Sequence, residues 1–328
     1  MIFGRSQPLE SGFGRRGKTL ALTQPLEPNV NVVLAARLCA EHNLTLEPRT
    51  LETLRALSVG TPLESRPELT RLLLAPHAAS GVTALRQTGW LSALMPELEG
   101  CAEVLPFGFH HLNVLEHQIE ALRVLLDLFP NASLETRLAT LLHDVGKPAS
   151  KIWDEARGRW SFFGHDDMGA RLVIGILERF GFEDALIQRV SLLIARHMIR
   201  LPADETQAAR FVRRQRALLP ALLEVMLSDR EAARGASSSA EARFAYQLGF
   251  ERVLSAMKAH DAIKPLLSGR DVMEFLELPP GKLIGQALEV LEQLQTEGEI
   301  GTPDQARDAL KRWAVVRVSS LLEDVQQP

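Results

Sequence analysis

The stretch that most constrains this chain is Leu141-Leu142-His143-Asp144-Val145-Gly146-Lys147-Pro148. An apolar helical run that should enter a core instead presents an imidazole and a carboxylate side by side, then breaks at Gly and Pro. Burying that pair without partners costs several kcal/mol, so hydrogen bonds or a cation must answer it. Any fold for this chain has to bring partners to His143 and Asp144.

The surrounding periodicity is helical. Apolar residues recur at helical spacing through most of the chain, only 5% of residues are aromatic, and Leu, Ala, Arg and Glu abound. This predicts an all-α, multi-helical protein whose 46% hydrophobic residues suffice for real cores. Residues 1–29 are rich in Gly, Pro and Arg and read as a poorly ordered lead-in. Their Gly-Arg-Arg-Gly-Lys run at 14–18 lacks the strand and spacing of a phosphate loop. Residues 30–100 read as a helical region with Pro67 and Pro76 at helix starts, and 101–235 as the central domain, with 151–163 a surface loop or short hairpin. Gly235-Ala-Ser-Ser-Ser reads as a linker to a C-terminal helical tail over 236–328.

Six of the nine histidines fall in the middle third of the chain. His197 follows Ile194, Leu193 and Val190, and Asp229 follows Met226, Val225 and Leu222, so each sits on its helix's apolar face. Singly, an inward His or Asp is most often a hydrogen-bonded core residue or a cap. Jointly, His117, His143, Asp144, His165, His197 and Asp229 form a thiolate-free set suited to borderline-to-hard divalent ions, with Mn²⁺ favoured among Mn²⁺, Fe²⁺, Ni²⁺, Mg²⁺ and Zn²⁺. Six ligands are too many for one catalytic ion that keeps open positions, so the expectation is two ions sharing a bridging carboxylate.

Lys147, four residues after His143, is expected on the same helical face as a phosphate or transition-state ligand, against the plainer reading of a lysine meeting the last helix carbonyls. His111 and Arg230 are further candidates for substrate contact, each with an equally plain reading as a solvated turn or surface cation. The Arg210, Arg213, Arg214 and Arg216 cluster spans two helical turns and is a candidate to follow an RNA backbone, against the alternative of a solvated face. A net charge of -4 gives no global attraction to nucleic acid. Cys39 and Cys101 form neither a metal spacing nor a disulfide framework, and no leader opens the chain, which fits a reducing cytoplasm. The most apolar segment, Leu218 to Leu227, falls short of a membrane span, so no membrane partner is expected.

The ordered set His117, His143-Asp144, Asp229 resembles the signature of the HD superfamily of metal-dependent phosphohydrolases, and His165 and His197 match the extra histidines of its dinuclear members. Residues of about 30 to 315 resemble the body and tail of bacterial CCA-adding tRNA nucleotidyltransferases and poly(A) polymerases that carry an HD domain. Phe109-His-His-Leu-Asn-Val-Leu-Glu-His117, Phe163-Gly-His165, Arg196-His-Met198 and Pro265-Leu-Leu-Ser-Gly-Arg-Asp271 carry that likeness. The resemblance implies an HD domain flanked by helical regions. In it Asp144 bridges two ions, His117, His143 and Asp229 hold one, and His165 and His197 hold the other; Asp144, with the Lys147 that spacing singles out, is expected to serve catalysis. It further implies hydrolysis of phosphate esters of nucleotides or RNA ends by a metal-activated hydroxide, with 2′,3′-cyclic phosphates first and a single-stranded nuclease or 5′-nucleotidase as alternatives. The competing class is a non-catalytic tRNA- or RNA-binding module beside a separate nucleotidyltransferase. Residues 1–29 contain neither the Gly-rich strand turn nor the Asp-x-Asp pair of a nucleotidyltransferase head, so nucleotide addition by this chain is not expected. Asn113 departs from the Asp that relatives often carry.

Overall fold

The computed structural model describes residues 7–26, 32–105, 112–233, 240–262 and 264–325. It opens with strands β1 (Gln7–Pro8), β2 (Phe13–Arg16) and β3 (Thr19–Leu22), then α1 (Val33–His42), β4 (Thr45–Leu46), α2 (Pro48–Arg55) and α3 (Pro62–Leu74). There follow α4 (Ala78–Thr88), α5 (Trp90–Leu94), α6 (Pro96–Glu99), α7 (Val114–Leu128) and α8 (Leu134–Leu142), a hairpin of β5 (Ile152–Asp154) and β6 (Arg159–Ser161), then α9 (His165–Arg179) and α10 (Asp184–Arg196). The remainder is α11 (Glu205–Gln215), α12 (Ala221–Ala232), α13 (Ala240–Ala262), α14 (Gly269–Leu276), α15 (Lys282–Thr296) and α16 (Pro303–Val325). The fold is therefore all-α with a few short strands, and no described helix is long and apolar enough to cross a membrane.

Capping side chains set the helix starts. Asn113 accepts from the Glu116 N–H while Glu116 accepts from the Asn113 N–H, a reciprocal box that opens α7. Asn113 is thus accounted for as a cap. Ser133 caps α8 from one side only, accepting from the Thr136 N–H. Thr61 and Glu64 form another box at α3, which starts the helix at Pro62 and leaves Pro67 inside it rather than at its start. Local capping outweighed the proline signal there.

The chain divides into two units, residues 1–199 with 218–239 and residues 200–217 with 240–328. In the first, β1, β2 and β3 form an antiparallel meander, and β3 pairs in parallel with β4. The expected lead-in is corrected here: 7–26 is folded, because Phe13, Leu20 and Ala21 are buried and Gly17, at φ 61°, makes the turn between β2 and β3. The Gly-Arg-Arg-Gly-Lys run is that hairpin. The buried guanidinium of Arg37 joins Glu10 of this region to Glu41 and to Glu68 of α3.

Helix α1 packs against α3 and α4, while α7, α8, α10 and α12 form a bundle with α9 lying on α10. Helix α3 reaches α8 and α4 reaches α7, so both helical layers share one core. Arg137, buried near the start of α8, donates to the carbonyls of Leu73, Ala75, Pro130 and Ala132. It closes the C-terminal end of α3 against α8.

In the second unit α11 packs its buried Ala208, Phe211 and Val212 on α13. This segment was expected within the central domain, yet its apolar stripe is matched by a helix beyond the linker. Helices α14, α15 and α16 enclose Val272, Ala287, Leu291 and Leu310.

Candidate metal centre

Helix α8 ends at Leu142, and His143 and Asp144 occupy the tight turn that follows. Gly146 in that turn lies directly against the start of α9: a Cβ placed on it would sit 2.1 Å from the His165 carbonyl oxygen and 2.5 Å from the Gly169 nitrogen. Only glycine permits that approach. Gly169 faces back toward Gly146 and Ile194, so the contact sets the His143-Asp144 turn beside His165 and the end of α10.

Asp144 is the centre. Its Oδ2 lies 3.3 Å from His143 Nε2 and 3.9 Å from His117 Nε2, and its Oδ1 lies 3.2 Å from His165 Nε2 and 3.9 Å from His197 Nε2. The two carboxylate oxygens therefore face two different histidine pairs. Asp229, a quarter exposed, completes the first side, with Oδ1 at 2.9 Å from His117 Nε2 and 3.4 Å from His143 Nε2. The structure brings all six sequence-selected side chains together, and groups His117, His143, Asp144 and Asp144, His165, His197 each offer ligand atoms within metal-binding reach of one another.

The imidazole orientations are fixed. Nδ1 of His143, His165 and His197 bonds the carbonyl oxygen of Thr140, Phe162 and Ile194 at 2.8, 2.8 and 2.7 Å. A carbonyl only accepts, so each Nδ1 carries its hydrogen and each Nε2 faces inward, with a lone pair to offer whenever the ring is neutral. Those Nε2 atoms are buried and have no hydrogen-bond partner. A carbonyl holding Nδ1–H is the support that metal-ligating histidines use, and unanswered inward lone pairs around a carboxylate are compatible with divalent metal binding.

The electrostatics agree. Burial works against a charge on His143, but Asp144 and Asp229 outweigh it and raise the imidazole to about 10. Burial and then the neighbouring His143 push His197 down to about 4. Burial would raise both carboxyls, yet Lys147 and His143 hold Asp144, and His143 and His117 hold Asp229, well below the ordinary range. The pocket concentrates negative charge and fills it with a proton and a lysine.

Lys147 reaches the centre from the turn rather than from the helical face expected of it, because α8 ends earlier. Its Nζ bonds Asp144 Oδ2 at 2.5 Å, and burial is overcome by that carboxylate in raising its pKa. Arg230, half-buried, follows Asp229 on α12. His111 lies outside the described residues. The arginine cluster is in the second unit, where Arg210 and Arg213 face Glu297 at 3.8 and 3.6 Å, Arg216 bonds Glu292 at 2.8 Å, and Arg214 is exposed.

Sequence reasoning missed Gln118, whose buried Oε1 accepts from the Asp144 N–H at 3.2 Å and so holds the backbone of the central carboxylate. Its signal was a polar residue on the buried side of α7, next to His117. The alternation of charge, Trp and Gly over 151–163, expected as a surface loop or short hairpin, is the β5–β6 hairpin, where Trp153 and Trp160 meet edge to face at 5.2 Å.

Residues 114–234 match the model of the HD domain, and residues 65–101 match one described as "Probable RNA and SrmB- binding site of polymerase A". The chain is 46% identical over 290 residues to the A-adding tRNA nucleotidyltransferase of Deinococcus radiodurans, covering 85% of this chain and 67% of that protein. It is 40% identical over 246 residues to the CC-adding tRNA nucleotidyltransferase of Thermus thermophilus, covering 75% of this chain and 55% of that one. A bifunctional uridylyltransferase/uridylyl-removing enzyme of Mycobacterium tuberculosis is 28% identical over 214 residues, 62% of this chain and 25% of its own. The chain thus spans between a quarter and two thirds of these relatives.

Proposed function

This chain belongs to the HD-domain-bearing tRNA nucleotidyltransferase family, and within it we infer that the bundle of the first unit is a metal-dependent phosphohydrolase acting on phosphate esters of nucleotides or RNA ends, 2′,3′-cyclic phosphates first. The observation that carries this reading is the divided carboxylate of Asp144, whose Oδ1 and Oδ2 each face a separate histidine pair, with the buried Nε2 atoms of His143, His165 and His197 lacking a hydrogen-bond partner and that of His117 bonded to Asp229. His117, His143 and Asp229 would hold one ion and His165 and His197 the other, with Asp144 shared; Mn²⁺ suits this nitrogen and oxygen set. Two such ions, when bound, lower the pKa of water and neutralise charge on phosphoryl oxygens.

The chain's own groups do the positioning. The carbonyls of Thr140, Phe162 and Ile194 keep three imidazoles in the ligating tautomer, and Gln118 orients Asp144. Lys147 is the cation of the site: bonded to Asp144 here, it would meet a phosphate oxygen of a bound substrate. Hydrolysis of a cyclic phosphate adds one water across one P–O bond, and the freed ribose oxygen takes the proton. A uridylyl-removing function in the name of one relative supports phosphoester cleavage.

The test is turnover of cyclic, linear and mononucleotide phosphates by protein loaded with Mn²⁺, Ni²⁺ or Mg²⁺. Wild type should hydrolyse at least the cyclic esters and His143→Ala should lose that activity; equal behaviour of the two proteins on every substrate refutes the reading. A second reading, an RNA-binding module without catalysis, is favoured by the match over 65–101. It predicts tRNA binding that survives Asp144→Ala in protein that turns nothing over.

A further inference from the structure

Few aromatic side chains exist in this chain, and most of those described are buried or half-buried. Three of the exposed ones lie in or just after the short hairpin between Lys147 and His165, and Phe244 on α13 is another. Trp153 and Trp160 are cross-strand partners in register, so they share one face of the hairpin, and both are about two-fifths exposed. The Lys151 ammonium lies over the Trp160 ring at 4.5 Å from its centroid. Phe163, immediately after the hairpin, is 95% exposed.

A tryptophan pair and a cation–π contact are what an isolated two-stranded hairpin needs for cohesion, so Trp153, Trp160 and Lys151 alone have a structural explanation. Phe163 has none. Its ring contributes nothing to a core, yet its backbone is pinned on both sides. The Phe162 carbonyl accepts from both the backbone N–H and the Nδ1–H of His165, at 3.1 and 2.8 Å, and Gly164 at φ 75° turns the chain into α9. The same carbonyl that orients a candidate metal ligand therefore holds an unburied aromatic ring two residues away, at a Cα separation of at most about 7 Å. Lys147, bonded to Asp144, has its Nζ 6.0 Å from the Phe162 ring.

Exposed flat rings on the segment that leads into a candidate metal ligand, with the Lys151 ammonium over one of them, match the face and charge of an unpaired nucleotide. We propose that Trp153, Trp160 and Phe163 form a stacking platform for the unpaired bases of a single-stranded RNA end whose terminal phosphate lies at the Asp144 cluster. Lys151 takes the adjoining backbone phosphate. This rests on the phosphoesterase reading for the position of the phosphate, but not for the stacking itself. It selects substrates by the presence of a base and tolerates any base, since every base has a π face.

The experiment is a titration of the full chain with a short oligoadenylate ending in a 2′,3′-cyclic phosphate, read by quenching of tryptophan fluorescence, with chelator present and again with Mn²⁺. Phe163→Ala removes no buried contact, so folding is not at risk, and Phe163→Tyr keeps the ring. Wild type should quench on binding, Phe163→Ala and Trp153→Ala should weaken binding about tenfold, and Phe163→Tyr should restore it. In turnover assays Phe163→Ala should raise KM for the oligonucleotide at unchanged kcat and leave ribose 2′,3′-cyclic phosphate, which has no base, unaffected. Equal affinity of wild type and both alanine variants, or an equal loss on the base-free ester, overturns the platform. So does a Phe163→Ala effect confined to self-association or to binding of anionic lipid vesicles. Stacking without any hydrolysis by wild type would sink the phosphoesterase reading and leave the platform standing; hydrolysis indifferent to Phe163 would do the reverse.

Discussion

Replacing Gly146 by alanine sets two ordinary effects against each other with opposite signs. Gly146 has no positive φ, so intrinsic backbone preference alone favours alanine, by about 0.5–1 kcal/mol. Sterics say otherwise. The new methyl would meet the His165 carbonyl oxygen at 2.1 Å and the Gly169 nitrogen at 2.5 Å, and both are backbone atoms that cannot swing aside. Ordinary contact begins at 3.4 Å, so the turn after α8 and the start of α9 must part by roughly 1.3 Å. Overpacking of that kind costs about 3 kcal/mol, which for a unit of this size lowers Tm by about 6–12 °C. The displacement falls on the separation between Asp144 Oδ1 and His165 Nε2, now 3.2 Å. The variant should thus lose metal from the His165 and His197 side first. Differential scanning calorimetry with and without chelator, beside elemental analysis, reads both effects. A Gly146→Ala protein with unchanged or raised Tm and wild-type metal content refutes the claim that this contact assembles the site.

Two further outcomes follow from the same geometry. In metal-free protein, His143 has a raised pKa near 10, so its stabilising contribution is complete below about pH 6.5 and is lost as pH climbs toward 10. His197 has a lowered pKa near 4, so its contribution is complete above about pH 6.5 and is lost as pH falls toward 4. As far as these two groups go, urea midpoints in chelator should peak near neutrality and fall on both sides, and Mn²⁺ should flatten the alkaline limb by taking the place of the His143 proton; a chelated profile rising from pH 7 to 9 contradicts this. Arg137→Met removes four charge-assisted bonds to carbonyls at the α3–α8 junction and should cost about 3 kcal/mol or more, while metal content below the melting range stays at the wild-type value. A metal loss parallel to the stability loss would show that the junction shapes the centre as well.

The parts of this molecule legible in the sequence are those where a single helix carries its own signal. His197 and Asp229 stand at helical intervals from apolar residues, and burial of those stripes turns both toward Asp144. The box of Asn113 with Glu116 and the Ser133 cap mark α7 and α8 in the same local way. What was not legible depends on partners distant in sequence. Strands of two to four residues have too little length for a period, so β1 to β3 carry the signature of a poorly ordered lead-in although Phe13 and Leu20 are core residues. The placement of α11 with α13 is decided by a matching apolar face across the linker, which no window along the chain contains. Gln118 has the sequence surroundings of an ordinary helix glutamine, and its partner, the Asp144 N–H, lies 26 residues further on.

The deeper regularity is where the ligands sit on their helices. His143 and His197 are the C-terminal caps of α8 and α10, and each donates its Nδ1–H to a last-turn carbonyl three residues earlier, the Ile194 carbonyl taking the His197 N–H as well. The helix end thereby orients its own ligand without a separate supporting residue. Asp229 lies in the last turn of α12, so three helix C-termini, each carrying the negative end of its dipole, converge on the space around Asp144. A cation there is favoured by backbone as well as by side chains. An Asp144→Asn variant should accordingly lose the shared ligand yet keep a residual affinity for a single divalent ion, held by His143, His117 and Asp229 and by that convergent field. Elemental analysis finding both ions retained would mean Asp144 bridges nothing. Complete loss with the fold intact would mean the helix ends contribute little.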